Sequence, residues 1–225
     1  LLSLSMLGFT VLARLLRGAQ VFAATDGPRY EVTVTNLTRG QALTPALVVT
    51  HDSEFLPLFT EGEPADPEVA LIAEDGDVQP LKNLVESNPH VSDVAIIQGT
   101  APLPLPPDGP GGFAIKPGDS ASITVNFAAN KRFVSLVGML ATTNDAFYAL
   151  TGGVGPSKGV ATYYSIAWDA GSEVNNESCP FIPGPPCGHF FVRATEGAEG
   201  YVHVHPGIHG IADAVAAGEH GNVEQ

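Results

Sequence analysis

The stretch RFVSLVGMLATTNDAF, residues 132–147, combines a nearly continuous apolar run with an acid close to its end. An apolar run of this kind is typical of a strand that lies inside a sheet and is covered on both faces. Small polar residues follow the run and lead to Asp145. The stretch therefore predicts a central β-strand that delivers a carboxylate to the loop at its end.

Shorter segments with β-patterns occur on both sides of this central strand. Residues 30–40 alternate through Val32 and Val34 and then break at Asn36, as a half-buried strand does before a turn. Further strands are predicted within 42–51, 90–99, 113–127 (a hairpin whose turn is KPGD), 161–168, 189–195 and 200–205. Seven to nine short strands at close spacing predict a mainly β protein, an antiparallel β-sandwich of about eight strands.

Residues 65–88 are the least β-like part of the sequence. Apolar residues recur at helical spacing in ADPEVALIAEDGD (65–77) and in VQPLKNLVESN (78–88). We predict two short helices there, separated by Gly76 and Pro80. The sequence shows no internal repeat and no second domain boundary, so residues 25–225 are predicted to form a single domain with a short helical insertion.

The first residues, LLSLSMLGFTVLARLLRGAQVFA, are apolar, contain no acid and end in small residues. This pattern predicts that residues 1–24 are an export signal that is removed. Arg14 and Arg17 interrupt the run, which argues against a membrane span, although an uncleaved anchor is the alternative. We therefore expect a secreted, periplasmic or cell-surface protein without a transmembrane span in the mature chain.

Charge and cysteine content narrow the possible partners. Residues 1–24 contain two arginines and no acid, so their removal takes the formal net charge from −14 to −16. Such a surface repels phosphate backbones, so we expect no nucleic acid partner, and it suits divalent cations. The two cysteines, Cys179 and Cys187, lie close together in an exported chain and are predicted to form a disulfide.

Two of the predicted strands end in acids. Asp145 follows the central strand, and the stretch WDAGSE, residues 168–173, supplies Asp169 and Glu173. Loops at one end of a sandwich converge, and calcium prefers the oxygen ligands that such loops provide. Gly171 allows the turn that would direct both acids to one ion, and three carboxylates without a cation would repel one another. The alternative is that these acids are ordinary solvated turn residues.

Three stretches together resemble the spondin N-terminal domain, a family of animal matrix proteins and secreted bacterial relatives. They are NLTRGQALTPALVVTH (36–51), TNDAF (143–147) and WDAGSE (168–173), and the resemblance covers roughly residues 29–210. It implies a sandwich similar to the second conserved region of protein kinase C, with calcium held by Asp145, Asp169 and Glu173. Animal members usually carry Asp where this chain has Glu173. The resemblance also implies a non-enzymatic module that binds an extracellular protein or a matrix or glycan component.

Two other patterns offer rival functions. In YVHVHPGIH, His203 and His205 share one face of a strand and His209 lies beyond a turn. Three histidines can hold zinc or copper, so the alternative is a metal-dependent enzyme that uses this cluster. GPSKG, residues 155–159, fits the G-x-S-x-G nucleophile elbow, but the elbow needs a strand before the serine and a helix after it. The surrounding sequence instead favours a glycine-rich hairpin turn.

Overall fold

A computed structural model of the chain describes residues 28–103, 112–128, 131–184, 187 and 189–212. The predicted export signal lies outside the described residues, as do the tail after residue 212 and residues 104–111 of a Pro/Gly-rich stretch.

The described residues are mainly β, with antiparallel sheets and two short helices, as predicted from the sequence. The strands are β1 Arg29–Thr35, β2 Leu43–His51, β3 Val91–Ile97, β4 Ala101–Pro102, β5 Phe113–Ala114, β6 Ser120–Asn126, β7 Phe133–Leu140, β8 Ala146–Val154, β9 Ala167–Asp169 and β10 His203–Val204. The helices are α1 Pro67–Asp75 and α2 Gln79–Glu86, and Cys179–Phe181 form one 3-10 turn. The sandwich arrangement and the similarity to the protein kinase C region stay predictions.

A six-stranded sheet in the order β10-β9-β8-β7-β2-β3 forms the centre of the molecule. Every residue of β2 is buried, and β7 is buried from Val134 onward, as the apolar run predicted. On one face of the sheet, Leu47 and Val137 pack with residues of α1 and α2. On the other face, Val48 and Leu136 pack with the two-stranded sheet of β1 and β6. Because both faces are covered, the central strands carry apolar side chains in both directions.

The helical insertion follows its predicted pattern, with one correction. Gly76 ends α1 in the left-handed conformation, with φ of 71°, and its amide donates to the Ile72 carbonyl group. Pro80 does not separate the helices but lies in the first turn of α2, where a missing amide proton costs nothing. Within the described part of the chain, neither helix has the length and apolar character needed to cross a membrane.

Three of the strand predictions are wrong, and the sequence did not predict β8. The KPGD stretch forms a turn but no hairpin, because β5 pairs with β4 and β6 pairs with β1. In ATYYSIAW only the last two residues enter β9, because side-chain oxygens of residues 163 and 165 bind β8 amides in place of strand partners. Residues 189–195 form no strand, because amides of this segment donate to carboxylates instead.

Packing and the disulfide fix the region that carries the acids. The Trp168 ring lies 5.1 Å from the Phe59 ring, which in turn lies 5.1 Å from the Phe147 ring in the core. Further along the chain, Cys179 and Cys187 are joined in a disulfide, as predicted.

Candidate metal centre

The structure buries all three predicted acids, and Asp145 contacts the Glu173 amide and feels the Asp169 charge. Asp145 immediately precedes β8, Asp169 is the last residue of β9, and Glu173 lies in the loop that follows. β9 pairs with β8 so that Asp169 lies opposite Ala146, which brings the two strand ends side by side. Each of the three acids has a relative exposure of 0%. The alternative reading of solvated turn residues is therefore wrong.

Gly171 permits the close turn between Asp169 and Glu173. Its φ is +64°, and a Cβ atom there would lie 2.2 Å from the Tyr201 carbonyl oxygen. Its own carbonyl oxygen accepts the Gly200 amide at 2.8 Å. A side chain at this position would push the loop away from the segment before β10, so the predicted role of Gly171 in the turn has a steric basis.

One oxygen of Asp145 is saturated with donors and the other has none. Oδ2 accepts the Ser172 amide at 2.8 Å, the Ser172 hydroxyl at 3.1 Å and the Glu173 amide at 2.9 Å. Oδ1 is buried and has no hydrogen-bond partner. A buried carboxylate oxygen without a donor or a cation is costly, because water no longer solvates it.

Glu173 also has one hydrogen-bonded carboxylate oxygen and one without a partner, whereas both oxygens of Asp169 are hydrogen-bonded. Oε1 of Glu173 accepts the Ala194 amide at 2.8 Å, while Oε2 is buried without a partner. Asp169 has both oxygens bound, Oδ1 by the Gly171 amide at 2.8 Å and Oδ2 by the Asn175 side-chain amide at 2.7 Å. The cluster thus presents two carboxylate oxygens that the protein itself leaves unsatisfied.

The electrostatics agree with this geometry. The pKa of Asp145 is raised to about 7, mainly by burial and also by the Asp169 charge, against the opposing hydrogen bonds from Glu173 and Ser172. The pKa of Glu173 is raised to about 8, mainly by burial and also by the charges of Glu74 and Asp145, against the opposing Ala194 hydrogen bond and Arg193 charge. Both shifts mean that the negative forms of these two acids are poorly stabilised by the protein alone.

Other acids nearby are paired within the protein. Arg193 forms ion pairs with Glu74 and with Asp75, which joins the end of α1 to the 189–195 segment. Both oxygens of Glu177 accept backbone amides, one from His209 and the other from Ile211 at 3.0 Å. These carboxylates have a structural role that needs no ligand.

Calcium matches the type of ligand atom that Asp145 and Glu173 offer. It is a hard cation that takes oxygen ligands from carboxylates and carbonyl groups. The two unpartnered oxygens belong to Asp145 and Glu173, and the Asp145 pKa is raised partly by the Asp169 charge. The three predicted acids would hold the ion, whose charge would offset their mutual repulsion.

The predicted histidine cluster is arranged differently from its sequence pattern. His203 and His205 are half-buried, whereas His209 is exposed. Among the residues that the structure describes, the group of acid and histidine ligand atoms that lie within 4.8 Å of one another consists of Asp169, Glu199 and His203, and the predicted set of Asp145, Asp169 and Glu173 is not such a group. This grouping does not favour the alternative of a three-histidine enzyme site.

The serine pattern GPSKG shows no sign of an elbow. Ser157 is exposed in an irregular segment between β8 and β9, and no helix follows it among the described residues. The turn reading therefore fits this stretch better than the nucleophile reading.

Several residues of the centre were missed in the sequence. They are Glu74, Asn175, Arg193 and Glu199, which come from α1 and from irregular segments. No periodicity or spacing marks them, because tertiary packing alone brings these segments to the loop after β9.

A scan against protein-family models finds no match, and a search of curated proteins finds no matching relative. The resemblance to the spondin N-terminal domain therefore stays a prediction.

Proposed function

We propose that this protein is a secreted or surface-attached calcium-binding β module without enzymatic activity. One observation carries the proposal, namely that Asp145 and Glu173 each keep a fully buried carboxylate oxygen without a donor. An ion of charge +2 would satisfy both oxygens and offset the repulsion among the three acids. The resemblance to the spondin N-terminal domain, with its sandwich fold, favours the same ion.

The calcium would stabilise a loop that already has a defined position. Ser172 donates to Asp145 through both its amide and its hydroxyl group, so this loop is held against the start of β8. Binding of calcium would add electrostatic stabilisation to these hydrogen bonds. We infer a structural role for the ion, in which it orders one end of the sheet, rather than a role in chemistry on a substrate.

Partner binding is supported by exposed apolar side chains that precede β9. Tyr164 is 83% exposed and Ile166 is 51% exposed, and both line a groove that also contains Leu37 at 71% exposure. Tyrosines with one apolar face and one polar tip are frequent in recognition surfaces. We propose that such a surface binds an extracellular protein or a matrix or glycan component.

The calcium proposal is tested by thermal and urea unfolding of the metal-free chain with added calcium and with chelator. Calcium at a hundred times its dissociation constant is expected to stabilise the fold by about 2.7 kcal/mol, if the unfolded chain does not bind. Asp145→Asn and Glu173→Gln should each lose most of this gain. Glu177→Gln is the matched control and should keep it, because backbone amides bind both oxygens of Glu177.

The decisive measurement compares the melting temperature of the wild-type protein with calcium and with chelator. Equal melting temperatures with chelator and across millimolar calcium would overturn the proposal, and so would an unchanged calcium response in both acid variants.

A further inference from the structure

His203 directs a ring nitrogen at Asp169 without a hydrogen bond between the two side chains. Its Nε2 atom is buried without a hydrogen-bond partner and lies 3.5 Å from Asp169 Oδ1. Its Nδ1 atom lies 2.9 Å from the Val204 carbonyl oxygen, which can only accept. The proton of a neutral ring therefore belongs on Nδ1, and Nε2 directs a lone pair at a carboxylate.

Glu199 completes a set of three ligand atoms. One oxygen of Asp169, one of Glu199 and one nitrogen of His203 all lie within 4.8 Å of one another. The Gly200 amide donates to the Gly171 carbonyl oxygen at 2.8 Å, which fixes the segment that carries Glu199 beside the Asp169 loop. A backbone hydrogen bond therefore connects the Glu199 segment to the Asp169 loop, in addition to the short distances between the ligand atoms.

Asn175 holds the two carboxylates in place from outside this set. Its side-chain amide nitrogen lies 2.7 Å from Asp169 Oδ2 and 3.5 Å from Glu199 Oε1. The contact with Asp169 leaves Oδ1 facing His203. Outer partners that orient ligating carboxylates and histidines are a regular feature of protein metal sites.

We propose that Asp169, Glu199 and His203 form a binding site for a divalent transition metal of the zinc class. Zinc bonds of about 2.0–2.2 Å place two ligand atoms of a tetrahedral ion roughly 3.3 Å apart, close to the separation of the His203 and Asp169 atoms. Imidazole nitrogen favours zinc or copper over calcium. Glu199 is exposed, so the fourth position of the ion faces solvent.

This site does not rest on the proposed function, although Asp169 belongs to both sets of acids. His203 and Glu199 lie outside the calcium set, while Asp145 and Glu173 lie outside the zinc set. Substitutions in one set therefore separate the two proposals.

The test is calorimetric titration of the metal-free full chain with zinc, together with visible absorption of the cobalt-substituted protein. We expect one zinc per chain and the absorption bands of tetrahedral cobalt. His203→Gln and Glu199→Gln should each raise the dissociation constant at least about tenfold and abolish the bands. His209→Gln and Glu196→Gln, which change exposed residues of the same segments, should leave both unchanged.

Other results would overturn the proposal. Absent zinc binding would mean that these three side chains hold no metal ion, and equal affinities in all variants would mean adventitious surface binding. A loss in His209→Gln as large as in His203→Gln would favour the three-histidine cluster instead. The melting response of His203→Gln to calcium should be retained, so failure of the zinc site is distinguishable from failure of the calcium site.

Discussion

Two groups of buried acids lie around the loop after β9, and the structure treats them differently. Glu74 and Asp75 are ion-paired with Arg193, and Glu177 is bound by two backbone amides. Asp145 and Glu173 each keep one buried oxygen without any partner. The first group is fully paired within the described part of the chain, whereas each acid of the second keeps an oxygen without a hydrogen-bond partner there. Burial alone is therefore no indication of a ligand site, because buried acids can be paired within the chain.

The largest loss of unfolding free energy is expected when the ion pairs of Arg193 with Glu74 and Asp75 are broken. Arg193→Met leaves Glu74 and Asp75 buried without their cation, and loss of one partner of a buried ion pair costs about 3–5 kcal/mol. Urea unfolding should show this loss with calcium and with chelator alike, because the ion pairs that Arg193 forms are with Glu74 and Asp75. The control is Arg132→Met, since Arg132 is exposed and donates to the Gly155 carbonyl group. Equal losses of unfolding free energy in Arg193→Met and Arg132→Met would contradict the distinction between the two groups of acids.

Asp145 and Glu173 should make the free energy of unfolding depend on pH. The pKa of Asp145 is raised to about 7 and that of Glu173 to about 8, mainly by burial, so the folded chain keeps protons that the unfolded chain loses near pH 4. The free energy of unfolding of the metal-free protein should therefore fall as pH rises from about 4 to 8.

The size of this fall is on the order of several kcal/mol, because each unit by which a folded-state pKa exceeds the unfolded value contributes about 1.4 kcal/mol. Urea titrations of the metal-free protein at several pH values between 4 and 8 measure it. The double variant Asp145→Asn/Glu173→Gln should show a flatter profile, because amides do not titrate. Calcium should oppose the fall, since it binds the deprotonated acids. An identical profile in wild type and double variant would mean that these acids are not the titrating groups.

The smallest effect is expected at Glu177. Glu177→Gln keeps one acceptor oxygen but places an amide where the second backbone donor lies, at a cost of about 1–2 kcal/mol. Amide exchange at His209 and Ile211 should become faster, because these amides donate to the Glu177 oxygens. Glu196→Gln, an exposed change nearby, should alter neither quantity. A calcium-dependent cost at Glu177 would place that residue in the ligand group.

The sequence predicted β2 and β7, which are covered on both faces, but it missed β8 and predicted strands in two segments that form none. The apolar run of β7 predicts a central strand because hydrophobic burial requires that pattern. The segments 161–166 and 189–195 carry the same kind of residues but form no strand, because side chains replace the strand partners of the first and carboxylates bind amides of the second. Local patterns do not record which partner a backbone amide finds.

The residues of the candidate metal centre also divide into those that the sequence marks and those that it does not. Asp145, Asp169 and Glu173 could be chosen from the sequence because strand ends, a turn glycine and a family resemblance mark them. Glu199 and Asn175 could not, because they reach Asp169 only through the folding of irregular segments. The grouping of His203 with Asp169 depends on the β9–β10 register, which pairs these two residues directly.

Composition, alternation and spacing were therefore enough to predict the β-rich class and the disulfide pair, and they marked three acids near strand ends that the structure buries. Which buried acids are paired within the chain could be read from the folded arrangement alone. Ion pairs, backbone donors and burial depend on segments far apart in the chain. The free energy of a buried carboxylate depends on those distant neighbours, and no local pattern of residues encodes them.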